Sequence, residues 1–95
     1  MFVHWSQLRK PYGINTCLGF ARDALTRQGL TLIDEAGDGD YVVMGRNDAV
    51  IVHVVVVPEG DGSWIGVSAY STDDNAALDA RAKARDFITR VVLID

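Results

Sequence analysis

A chain of 95 residues and 10.4 kDa has room for one domain. Folding leaves about 5,400 Å² of surface against about 15,000 Å² for the extended chain, and a hydrophobic fraction of 48% supplies a core without metal or disulfide staples. A formal net charge of −4 disfavours nonspecific attraction to DNA, RNA or anionic membranes and leaves proteins and small molecules as the expected partners.

Cys17 is the only cysteine, so no internal disulfide forms and a reducing compartment, the cytoplasm, is expected. In Met1 to Tyr12 the basic Arg9 and Lys10 follow the apolar residues, the reverse of a secretory signal. No apolar run approaches the roughly 18 residues of a membrane span. Neither secretion nor membrane insertion is expected.

Phe2, Val3 and Trp5, ahead of Pro11 and Gly13, suggest a short opening strand. From Asn15 the period changes: Cys17, Leu18, Ala21, Ala24, Leu25 and Gln28 recur at helical spacing, with Gln28 as a polar lapse. This predicts a helix over 15–28 with Asn15 as its cap, Asp23 and Arg27 as an i,i+4 pair and Gly29 at its end. Strands are then predicted over 30–35, 41–46, 50–57 and 64–70, separated by the turn sequences AGDGD, GRNDA and PEGDGS. Such short connections build hairpins, because a parallel return needs about a dozen residues or more. A second helix is predicted over 74–91. Ser71 to Asn75 supplies its cap, Ala77, Ala80, Ala84, Phe87, Ile88 and Val91 its apolar face, and Asp79–Lys83 and Asp86–Arg90 its ion pairs.

Residues 50–57 organise the fold. Val50, Val52, Val54 and Val56 alternate with Ile51, His53, Val55 and Val57, so both faces of this strand are largely apolar. In 64–70, Ile65, Val67 and Ala69 alternate with Trp64, Gly66, Ser68 and Tyr70. The predicted architecture is a single α+β domain over 1–95. It is a two-layer sandwich with an antiparallel four- or five-stranded sheet and two helices on one face, in the order (β)-α-β-β-β-β-α. Two helices on one side leave the other face bare and partly apolar, which points to association or ligand binding.

The chemical inventory is thin. Cys17 sits early in the first helix, where amides stabilise a thiolate, yet it also belongs to the apolar stripe. His53 interrupts an aliphatic strand and is the best single chemical marker; His4 approaches it if the N-terminal segment pairs nearby. Two histidines without fixed Cys or carboxylate spacing specify no metal. Cys17, His53 and a carboxylate such as Asp34 match the inventory of a thiol hydrolase without fixing its geometry. DEAGDGD lacks the register and terminal Glu of an EF-hand, and PEGDG reads as a second hydrated turn. Neither opens a phosphate-binding loop, so no cofactor is expected. Arg81, Arg85 and Arg90 share a helix with acids, which predicts a solvated surface rather than a nucleic-acid footprint.

Cys17, Ala21, Leu25 and Gly29, followed by Ser71, Asp73, Asn75, Ala77, Arg81 and Arg85, give the chain a pattern that resembles a family of small uncharacterised bacterial single-domain α+β proteins. That resemblance implies a compact α+β fold and carries no assigned chemistry. The leading functional expectation is a noncatalytic binding or homo-association module, a homodimer or a receptor for a protein or small molecule. Its open sheet face would present His53, Trp64, Ser68 and Tyr70. The alternative is a small thiol-dependent enzyme using Cys17 with help from His53.

Overall fold

The computed structural model describes residues 1–33 and 41–92. The elements are β1 (Phe2–Lys10), α1 (Ile14–Arg27), β2 (Thr31–Ile33), β3 (Val42–Arg46), β4 (Ile51–Glu59), β5 (Gly62–Ser71) and α2 (Asp74–Arg90). They form one five-stranded sheet in the order β1-β5-β4-β3-β2, antiparallel at every pairing. β2 to β5 are the expected meander, and β1 adds to its β5 edge. Both helices cover the same face, giving the anticipated two-layer α+β sandwich.

The opening strand is longer than its apolar residues suggest. It runs nine residues because Phe2 to Lys10 pair continuously with Ser71 to Ser63; the partner strand, rather than local propensity, holds the polar second half in register. The β4–β5 hairpin is tighter than expected. Glu59 pairs with Gly62, so only Gly60 and Asp61 form the loop, and Pro58, Glu59 and Ser63 belong to the ladder. Gly60 takes φ +58° with no positive φ at Asp61. This pattern matches the twist of the flanking strands and needs glycine at its first position.

Helix α1 begins at Ile14, with Gly13 at the cap position and no side-chain cap. Asn15 therefore lies within the first turn, because the Gly13 carbonyl already accepts the Cys17 N–H at 3.1 Å. At the other end Leu30 N–H donates to Leu25 O and Gly29 N–H to Thr26 O, while Gly29 adopts φ +80°. This Schellman closure satisfies the last carbonyls and turns the chain into β2. Arg27 lies over the Phe87 ring at 5.1 Å; no ion pair joins it to Asp23 among the described residues. Gln28 donates to the Ala80 carbonyl at 3.1 Å, so the polar lapse in α1 ties it to α2.

Helix α2 is capped by Asp73, whose carboxylate accepts from Asn75 N–H at 2.9 Å and Ala76 N–H at 3.3 Å. Replacing it in Asp73→Ala leaves those amides to water and is expected to cost about 1 kcal/mol. Thermal unfolding followed by circular dichroism should show a melting temperature lower by roughly 4–8 °C. The Asp79–Lys83 pair forms at 2.9 Å, whereas Asp86 and Arg90 form none among the described residues.

The core is built where the small residues of α2, Ala77, Ala80 and Ala84, let its axis approach Ile65, Val67 and Ala69. Leu25 of α1 lies over Gly45 of β3, where a Cβ would come within 3.2 Å of the leucine Cδ1. Val52, Val54 and Val56 are completely buried beneath the helices. β1 and α2 run in the same direction: His4 contacts Asp74 at 2.5 Å, and Lys10 Nζ donates to Thr89 O at 3.2 Å and Val91 O at 2.7 Å. Among the described residues no helix is long and apolar enough to cross a membrane.

Candidate functional site

Strand alternation places the other half of every strand on the face away from the helices. The register aligns these residues in cross-strand rows. Ile33, Met44, His53, Ser68 and Trp5 form a row with one residue from each strand. On one side of it lie Ile51, Tyr70 and Val3; on the other lie Val55, Gly66 and Gln7, followed by Val57, Trp64 and Arg9. Trp5 is 67% exposed and Val3 51% on the edge strand β1, and Val57 is 41% and Ile51 38% exposed toward the two ends of β4, so apolar surface open to water surrounds the half-buried His53 and Ser68.

The expected residues His53, Trp64, Ser68 and Tyr70 all lie here, with His53 and Ser68 directly paired. Trp64 lies flat. A Cβ on Gly66 would meet the indole at 2.8 Å, and the indole N–H donates to Gln7 Oε1 at 2.6 Å. The absent side chain at Gly66 thus lets the ring fill the row between β4 and β1. Arg9 donates to Glu59 Oε1 at 2.6 Å at the rim, where both side chains are well exposed and the pair contributes little to stability.

The structure separates the residues of the thiol alternative. Cys17 is completely buried in the helical layer, with its thiol against the Tyr12 carbonyl at 3.5 Å. His53 is on the opposite face of the sheet, beside neighbours in β4 that point into the core. The intervening sheet keeps the two from forming a nucleophile–base pair. Asp34 lies outside the described residues. His4 does not approach His53 either: it points to the helical side and bonds Asp74. Among the described residues no group of three or more His, Cys, Asp or Glu is arranged to hold a metal ion.

Ser68 and His53 are register partners, but no hydrogen bond engages either side chain among the described residues. Burial holds His53 below the ordinary histidine value of 6.5 by disfavouring the imidazolium. The unfolded chain therefore takes up this proton first as pH falls. The contribution to stability is complete above the unfolded value and declines as pH drops through it toward the lower folded value. Urea unfolding at about pH 7.5 and about pH 5 should show the wild type losing more stability than His53→Gln; equal losses would remove this assignment.

Sequence patterning missed Trp5, Gln7 and Met44 as members of the face. For β1 a signal existed in the alternation of Val3, Trp5, Gln7 and Arg9, but its apolar part is short. Met44 carried none, since its neighbours Val43 and Gly45 are the buried positions of β3.

No protein-family model matches the chain, and no curated protein matches it. Among solved structures it is similar to CalU16 from Micromonospora echinospora, at 12% identity and a TM-score of 0.59 over 92% of this chain and 73% of that one. It is also similar to Ara h 8.0201, at 11% identity and a TM-score of 0.54 over 93% of this chain and 94% of that one. At such identities the likeness is one of fold alone, and the chain stands as a small α+β protein whose chemistry must be argued from its own surface.

Proposed function

We propose that this chain is a noncatalytic association module and that its open sheet face binds the same face of a second copy, in the bacterial cytoplasm. The observation that carries the reading is the continuous apolar and aromatic surface around His53 and Ser68, with Trp5 67% exposed beside it. Apolar and aromatic residues, Trp5, Val3, Ile51 and Val57, surround the His53–Ser68 pair, while Arg9, Glu59 and Arg46 stand toward the ends of their strands. A sheet with strands about 4.8 Å apart and about 3.3 Å of rise per residue offers up to about 600 Å² of flat footprint. Two copies would bury about 1,200 Å², at the lower end for a specific complex. A two-fold axis brings each residue near a copy of its neighbour and closes the assembly at two chains.

Sedimentation equilibrium over a concentration series tests this directly. The expected result is a monomer–dimer equilibrium with a dissociation constant in the micromolar range; a strictly monomeric chain throughout that range would overturn the homodimer.

A further inference from the structure

We propose that Arg81 and Arg85, on the flank of α2 that faces β1, form a binding site for a phosphate group. The flank is located by its contacts. Asp74 reaches His4 at one end and Lys10 reaches the carbonyls of Thr89 and Val91 at the other, so the middle of α2 runs alongside the inward-facing Ser6 and Leu8 of β1. With about 100° of rotation per residue, Arg81 and Arg85 stand on the same side of the helix as Asp74.

Three features set this pair apart from ordinary surface arginines. First, neither has an acid at i±3 or i±4: those positions are Ala77, Leu78, Ala82, Ala84, Ile88 and Thr89, or the other arginine. Asp79 lies about 160° around the helix from Arg81 and Asp86 about 100° from Arg85. No ion pair joins the acids of α2 to these side chains among the described residues. Secondly, both Nε atoms are buried without a hydrogen-bond partner. Arg22, Arg46 and Arg90, by contrast, are exposed. Thirdly, the other basic groups of the seam, His4 and Lys10, are already engaged.

Burial of each Nε holds the side-chain stem against the protein, and no partner among the described residues engages the Nη atoms. Two like charges one helical turn apart repel each other, and a bridging anion reverses that repulsion. A carboxylate has two oxygens, enough for one guanidinium fork. A phosphate dianion has the charge of the pair and oxygens for both forks. Free inorganic phosphate and a phosphate monoester share this chemistry.

The test is titration of the folded full chain with sodium phosphate and, separately, with O-phosphoserine at constant ionic strength, following the arginine Nε–H signals by NMR. Arg81→Gln and Arg85→Gln assign the two signals, and shielding from solvent keeps them observable. We expect both signals to shift together and to saturate, with each single substitution weakening phosphate binding about tenfold and Arg90→Gln leaving it unchanged. Tighter binding of inorganic phosphate would identify a free ion as the ligand, and tighter binding of phosphoserine an esterified one. Shifts no larger than those produced by chloride, or equal affinity in Arg81→Gln, would overturn the site. Circular dichroism of each variant separates loss of binding from loss of fold.

Discussion

Trp5→Asp is expected to weaken self-association at least about 100-fold, equivalent to about 2.7 kcal/mol, while leaving the monomer folded. The indole is 67% exposed in the free chain, so its removal takes little from the core. In the proposed dimer the same ring enters a dry apolar surface beside Ser68 and close to Tyr70 and Val3. Buried tryptophans contribute disproportionately to interfaces, and an aspartate in that place would be a charge without a partner. Leu78→Asp is the matched control, because Leu78 is 41% exposed on α2, in the layer away from the sheet face. Sedimentation equilibrium of the two variants should give a monomer for Trp5→Asp and wild-type behaviour for Leu78→Asp. Wild-type association in Trp5→Asp would place any interface elsewhere.

Leu25→Ala is expected to destabilise the fold by about 3 kcal/mol, within the range for buried leucines, and to lower the melting temperature by roughly 12–24 °C. Leu25 is completely buried and presses against the bare backbone of Gly45. The sheet beneath it is held by β2 and β4 on either side of β3, so it has little freedom to collapse into the vacated space. The same residue supplies the carbonyl that accepts from Leu30 in the turn after α1; that backbone bond survives the substitution, so the loss reports packing. Urea unfolding measures it, and a loss under about 1 kcal/mol would mean that α1 is not anchored on β3 in this way.

The apolar residues on both alternating sets of 50–57 made the central strand legible, with Val52, Val54 and Val56 buried and Ile51 and Val57 left on the open face, and hairpin-length connections made the antiparallel meander legible. Gly29 marked a helix end because only a left-handed residue completes that closure at low cost. The candidate face was half legible. His53, Trp64, Ser68 and Tyr70 shared a predicted side of their strands, but the β1 half depends on a pairing between residues about sixty positions apart, far beyond any local period. Asn15 misled for a related reason: its side chain is a good cap in isolation, while the approach of the chain through Pro11 to Gly13 started the helix earlier.

Periodicity and turn chemistry alone determined the two helices, the meander and the apolar residues on both sides of the central strand. Those are local or pairwise properties of neighbouring side chains. That both helices cover one side and leave the other open was decided by packing. Only the tertiary structure decided that Cys17 and His53 stand on opposite sides of the sheet, that Trp64 lies over Gly66 toward Gln7, and that the stems of Arg81 and Arg85 are held beside β1. Each of these depends on strand register or helix rotation against a distant partner, quantities set by the packing of the whole core.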